Sequence, residues 1–329
     1  MSVADFLDRA GWGGAVPAPL AGDASSRRYT RLERGGDTAI LMQDPGGDVD
    51  RFARLARLLS GWGLSAPAIL ACDAAAGLLL AEDLGDALFA RLAASEPARE
   101  PALYAVAVDV LGVVERHAPP ADLPPAGPAE LAALTGMAFD WYLPRAGGPR
   151  DAGLAADVRT AFEDALATHA PEMSVMILRD YHAENLLWLP DRTGVARAGL
   201  LDFQDAMRGP PGYDLVSLVE DARRDVSPAA AEIARTRYLE RSGRSAAELR
   251  PRLAVLGAQR NLRILGVFAR LAAQAGKPHY IDLVPRVWAH LDRALDHPAL
   301  AAVARRLRPV LPRPTPAMLA AMRTPCPTP

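Results

Sequence analysis

Residues 176–206 read MILRDYHAENLLWLPDRTGVARAGLLDFQDA, and this stretch decides the fold. An apolar run ends in Arg179-Asp180, and Asn185 follows five residues after Asp180. A second run, Ala198 to Leu201, delivers Asp202 into Phe203-Gln204-Asp205. Each run is short and bounded by turns, so each reads as a strand whose end presents a short polar side chain to a cleft. Phosphoryl transfer asks little covalent chemistry of a protein. It needs in-line positioning, a carboxylate for the proton of the attacking hydroxyl, and oxygen ligands for Mg²⁺. Magnesium takes hard oxygen donors, commonly one or two carboxylates plus substrate phosphates. Asp180 suits the base, and Asn185 with Asp202 suits the metal. The bland alternative is solvated loop acids and a turn asparagine. D-x-x-x-x-N alone is common; the preceding arginine, the flanking strands and the second strand ending in Asp-Phe make the combination specific.

Working outward toward the N-terminus, GDASSRRYTRLERGGDTAILMQD (22–44) reads as two strands around a turn at Gly35 to Asp37. Ser2 suits the cap of a short helix carrying Phe6 and Leu7. Phe52, Leu55, Ala56 and Leu59 recur at helical spacing, and Ala68–Leu70 and Leu78–Leu80 read as further strands. Beyond Leu84 the pattern turns helical, over roughly 87–117, 129–143, 151–169 and much of 228–308, with a Pro-rich loop at Pro119 to Pro128. Leu311 onward carries several prolines and reads as an extended tail. The expected fold is α+β: a small antiparallel-sheet N-lobe over 1–83 that binds nucleotide, and a larger helical C-lobe over 84–329 that holds the catalytic and substrate groups.

Composition narrows the partners. Net charge is −2, so no overall basic field draws nucleic acid or an anionic membrane. No stretch approaches the roughly 20 apolar residues that span a bilayer, and the N-terminus lacks a secretory signal. Cys72 and Cys326 are the only cysteines and lie far apart, which fits a reducing cytoplasm. The expectation is a cytoplasmic monomer or weak dimer with no nucleic-acid or membrane partner. Lys277 is the only lysine, so positive charge is almost all arginine.

Taken with AILMQDPGGD (39–48), LLLAEDLGD (78–86), the run from Gly199 to Val226 and QRNLRILGVFARL (259–271), the opening segment resembles the protein-kinase-like superfamily in its aminoglycoside/choline phosphotransferase branch. Within that branch it is similar to the anomeric kinases of N-acetylmuramate and N-acetylglucosamine. The resemblance covers nearly the whole chain. It implies a bilobal protein-kinase-like fold and transfer of the ATP γ-phosphate, with Mg²⁺, to the C1 hydroxyl of a cell-wall amino sugar in peptidoglycan recycling. Other readings are a kinase for an aminoglycoside, choline or homoserine-like alcohol, and a catalytically silent nucleotide-binding regulator.

The superfamily usually grips phosphate with a lysine on the third strand, and Met42 stands near that place here. Arg27 or Arg28 can substitute, because a guanidinium binds phosphate bidentately and stays charged; an exposed strand-edge pair is the plain alternative. Ser25 and Ser26 in the same turn offer hydroxyl and N–H donors to phosphate. The backbone around Glu82 and Leu84, at the expected lobe junction, suits adenine; solvated hinge charges are the plain alternative for the acids there. Asp214 reads as the N-cap of an apolar helix, and the resemblance gives it a second task of bracing the catalytic loop. His182 lies inside that loop as a possible sugar contact. Arg223 and Arg224, beside Glu220 and Asp221, read either as surface charge pairs or as contacts to a substrate carboxylate. Phe139, Trp141 and Tyr142 read chiefly as core, and Arg260, Arg263 and Arg270 as the polar face of a helix.

Overall fold

The computed structural model describes residues 2–20 and 27–326. The chain packs as two compact units, Met1–Val114 with Ala183–Asp205, and Glu115–His182 with Ala206–Pro329. This partition differs from the 1–83 and 84–329 division read from the sequence.

The first unit opens with α1 (Val3–Arg9), started by a capping box between Ser2 and Asp5. A five-stranded sheet follows: β1 (Val16–Pro19), β2 (Arg28–Arg34), β3 (Asp37–Gln43), β4 (Ile69–Asp73) and β5 (Leu78–Glu82). Its order is β1-β2-β3-β5-β4, antiparallel throughout. β1 has no clear sequence signal, since its VPAP carries two prolines, and an edge strand tolerates them. The β2–β3 hairpin turns on Gly35 and Gly36 alone, with φ of 61° and 92°. Left-handed φ at both central positions defines the tight hairpin turn, which glycine enters without penalty. Phe6 packs against Leu32, Ala39, Leu41, Leu78 and Leu80 on one face of this sheet.

Asp48 caps α2 (Val49–Gly61), whose Phe52, Leu55, Ala56 and Leu59 are buried. Phe52, Leu55 and Leu59 each contribute roughly 1.5–3 kcal/mol on burial. Next come α3 (Phe89–Ser95) and α4 (Glu100–Val114), separated at Glu96-Pro97 where a continuous helix had been expected. The hairpin of β7 (Leu186–Trp188) and β8 (Ala198–Leu200) belongs to this unit. Bridges Ser65–Gly199 and Leu88–Leu187 stitch it there, which is why the compact unit reaches past residue 83.

The second unit holds a short ribbon, β6 (Val175–Ile177) paired with β9 (Met207–Gly209), within a helical body. The helices are α5 (Pro128–Ala133), α6 (Leu143–Arg145), α7 (Ala152–His169), α8 (Tyr213–Val219), α9 (Pro228–Ser242), α10 (Ala246–Gln274), α11 (Val284–Ala294), α12 (Ala301–Leu307) and α13 (Pro316–Met322). α10 is the central helix of the core. At Gly266 a Cβ would lie 2.2 Å from the Met137 carbonyl, so only glycine permits this approach. Phe139, Trp141 and Tyr142 are buried in the same core, as expected.

Two expectations are corrected. α13 occupies part of the tail read as extended, because Thr315 caps it and Pro316 fits its first turn. Arg260 is 3% exposed rather than on a polar face. No helix among the described residues is long and apolar enough to cross a membrane.

Candidate active site

In the first unit, the β7–β8 register pairs Leu186 with Leu200, so Asn185 and Asp202 emerge at the same end of the hairpin. The Leu201 N–H donates to the Asn185 carbonyl at 3.0 Å, and Asn185 Nδ2 lies 3.4 Å from Asp202 Oδ2. Asp202 has φ of 57°, a left-handed conformation uncommon outside glycine that aspartate enters more readily than most residues. Gln204 Nε2 donates to its Oδ1 at 2.6 Å, while 44% of its side chain stays accessible. From α2, Arg51 Nε donates to the Gln204 carbonyl at 2.8 Å, and Phe52 stacks on Phe203 with ring centroids 4.8 Å apart. Phe203 is 1% exposed, so this segment is anchored.

Arg27 stands beside the pair. Its Nε donates to Asp44 Oδ2 at 2.9 Å, and its Nη1 lies 3.8 Å from Asp202 Oδ1. Burial opposes the guanidinium charge, but the Asp44 bond and the surrounding negative groups outweigh it and raise its pKa. Met42 is buried in β3 and carries no charge to this place. Arg28 is exposed at the start of β2. Asp44 escaped the sequence reading; an acid directly after a strand was its only signal. Ser25 and Ser26 lie outside the described residues.

Glu82 uses its carboxylate on Arg192 and on the Ala68 N–H, and its own N–H donates to the Ala68 carbonyl at 2.8 Å. Leu84 is buried with Leu187 and Leu189. Arg31 clamps the same segment from β2, its Nε 2.6 Å from Asp83 Oδ2 and its Nη1 2.9 Å from Asp86 Oδ2.

In the second unit, Asp180 sits just past β6 on a segment held from both sides. Asp214 Oδ2 accepts the Leu178 N–H at 2.6 Å, and Oδ1 accepts the Arg179 N–H at 2.9 Å. Ser217 Oγ donates to the Arg179 carbonyl at 3.1 Å, and Arg260 Nη2 donates to Ser217 Oγ at 2.8 Å. Arg179 has φ of 70°, strain that these bonds stabilise. Burial pushes the Asp214 carboxyl up to about 7, against the pull of its two N–H donors. The cap of α8 is Gly212, with φ of 91°, and not Asp214, which sits inside the helix. Gly212 donates to Glu115 Oε1 at 3.3 Å, and the Tyr238 hydroxyl holds both Glu115 oxygens at 2.8 and 2.9 Å. Glu115, Tyr238, Ser217 and Arg260 had no sequence signal, because their partners lie far along the chain.

His182 is 2% exposed, and its Nε2 accepts from Arg223 Nη1 at 2.9 Å. An arginine can only donate, so the ring is neutral with its proton on Nδ1. Burial, with Arg223 and Arg260 nearby, holds its pKa well below the ordinary value. Asp221 is fully buried and accepts the Arg223 N–H at 2.8 Å, and Glu220 bonds Asn261 Nδ2 at 2.6 Å. These two acids therefore face inward and not onto the surface where charge pairs with Arg223 and Arg224 were expected. Arg224 is half-buried.

The donor set of the first unit suits a hard cation. Asp202 supplies carboxylate oxygens, and turning the Asn185 amide brings its Oδ1 toward the same space. Among the described residues no group of three His, Cys, Asp or Glu is placed to hold a metal ion.

The family model described as "Phosphotransferase enzyme family" matches residues 17–256. A curated relative, the N-acetylmuramate/N-acetylglucosamine kinase of Caulobacter vibrioides, is 38% identical over 91% of this chain and 93% of its own. Among solved structures, a choline/ethanolamine kinase family protein from Mesorhizobium loti superposes with a TM-score of 0.61 at 20% identity, over 97% of each chain. A thermostable mutant of an aminoglycoside phosphotransferase, in ternary complex with ADP and hygromycin B, superposes with a TM-score of 0.58 at 15% identity, over 93% of this chain and 99% of that one.

Proposed function

We propose, from the premise that this chain belongs to the phosphotransferase enzyme family, that it phosphorylates the C1 hydroxyl of N-acetylmuramate and N-acetylglucosamine at the expense of ATP. The observation that carries phosphoryl transfer is the Asp214 carboxylate holding the Leu178 and Arg179 N–H groups, which sets the segment bearing Asp180. The choice of amino sugar rests on the 38% identity to the Caulobacter vibrioides kinase.

In this reading Asp180 orients the acceptor hydroxyl and takes its proton as the bond to phosphorus forms. Asn185 and Asp202 would hold Mg²⁺, which supplies charge neutralisation at the phosphates. Arg27 takes the phosphate-gripping part usually given to lysine, held by Asp44 so that its Nη1 edge faces Asp202. The backbone from Glu82 to Leu84 receives adenine. Asp214 and Ser217 keep the Asp180 segment in place without touching substrate. The dependence on ATP supports a cytoplasmic enzyme that returns cell-wall sugars to use.

Phosphorus and proton NMR of the product, after incubation with Mg-ATP and either sugar, tests this. The expected product is a sugar phosphate whose phosphorus couples to the anomeric proton. Unchanged sugar, or phosphate on another carbon, overturns the assignment.

A further inference from the structure

The helix that carries Asp214 begins where the backbone has few donors. Gly209-Pro210-Pro211-Gly212 leads into α8, and proline has no N–H, so the Gly212 N–H is the one backbone donor between Gly209 and Tyr213. The Gly212 carbonyl accepts the Val216 N–H at 3.1 Å, which makes this left-handed residue the start of the first turn. Asp214 lies two residues further on and holds the Leu178 and Arg179 N–H groups. A shift of Gly212 is therefore passed on to the segment that bears Asp180.

Glu115 is the group that takes the Gly212 N–H, on Oε1 at 3.3 Å. The Tyr238 hydroxyl, from α9, fixes Glu115 in turn through both oxygens, and Tyr238 is 2% exposed. These donors are neutral. Arg244 and Arg252 act on Glu115 through their charge, but their guanidinium groups bond Glu172 instead. A buried carboxylate held by neutral donors is costly, and a glutamine of the same outline would make the same contacts without that cost. What glutamine would not bring is negative charge. The Asp214 carboxyl feels that charge, which raises its pKa, while Arg260 and its two N–H donors pull the other way.

We propose that Glu115, fixed by Tyr238, is a positioning residue for Asp180: its carboxylate seats Gly212, and through Asp214 it seats the segment that carries the base. The contact and the charge do different things. The contact sets where α8 starts. The charge disfavours ionisation of Asp214, and only ionised Asp214 accepts both N–H groups, so it governs the pH at which the segment is held. This inference rests on Asp180 being the base.

The test pairs Glu115→Gln with Glu115→Ala. In the glutamine variant Oε1 accepts the Gly212 N–H and Nε2 donates to the Tyr238 oxygen, so the bonds remain and the charge is gone. Alanine removes both. The readouts are a carbon-13 NMR titration of the Asp214 carboxyl, and kcat and KM against pH with Mg-ATP and N-acetylglucosamine. In Glu115→Gln the Asp214 titration and the acid limb of kcat should both move to lower pH. In Glu115→Ala kcat at pH 8 should fall roughly tenfold with both KM values within about threefold, and glutamine should recover most of that loss. An Asp214 titration that stays in place in Glu115→Gln overturns the inference, and this holds even where the alanine variant does not fold. So does an alanine variant that is less stable but keeps its kcat, which would mark a purely structural contact. Full turnover in Asp180→Asn would defeat the assignment of the base, and the inference with it. An unaltered enzyme inert toward both amino sugars defeats the amino-sugar reading alone, because the carboxyl titration still decides the part played by Glu115.

Discussion

Replacing Asp214 by asparagine isolates what holds the proposed base in place. The carboxylate accepts two buried backbone N–H bonds, at 2.6 and 2.9 Å, one on each oxygen. Asparagine offers one acceptor and one donor in the same outline, so one of its ends must face an N–H. A buried donor left without a partner costs about 1–3 kcal/mol, and the surviving bond loses its charge assistance. Relief of the carboxyl's burial cost works the other way and, for a rise from 3.8 to about 7, is on the order of 4 kcal/mol. The variant is therefore expected to be at least as stable as the unaltered protein in urea melts at pH 8. The catalytic effect should oppose the stability effect. A shift of about 1 Å in the Asp180 segment is enough to lower kcat about a hundredfold, while nucleotide affinity stays within a few-fold.

The pH dependence sharpens this test. Burial raises the Asp214 carboxyl to about 7 in the folded protein, from an ordinary 3.8. A raised carboxyl binds its proton more tightly folded than unfolded. Its contribution to stability is therefore complete below pH 3.8 and is lost as pH rises through about 7. Activity should run in the opposite direction, because only the ionised carboxylate accepts both N–H groups. The asparagine variant should lack both slopes. A variant with unchanged midpoint, kcat and pH profile would refute the idea that Asp214 holds the segment.

The other site residues make separable predictions. Asp180→Asn should lower turnover roughly 10²–10⁴-fold, with nucleotide binding by calorimetry nearly intact; substantial residual activity would remove Asp180 as the base. Arg27→Met should weaken ATP at least about tenfold in the same titration, since it removes the cation beside Asp202. It should also lower the melting temperature, because Asp44 is then left as a buried carboxylate without its partner. Unchanged affinity would leave the missing lysine without a substitute.

Much of this protein was legible along the chain. The strands around Gly35-Gly36, the helix beginning at Val49 and the short runs before Asp180 and Asp202 follow from local periodicity and turn chemistry, which depend only on near neighbours. Asp180, Asn185 and Asp202 were legible for the same reason: their spacing sits on two short strands and a loop. Edge strand β1 was hidden by its prolines, and α13 by the prolines around it, because Pro breaks a helix interior but suits its first turn. What only the tertiary structure decided is which distant groups complete the local pattern. Arg27 meets Asp44 because β2 and β3 pair antiparallel. Asp214 leaves the cap to Gly212 because two buried N–H groups 35 and 36 residues away need acceptors. Glu115 meets Tyr238 across 123 residues. A buried polar group must find its partner wherever the fold places one, and that choice is set by packing in three dimensions, not by spacing along the chain.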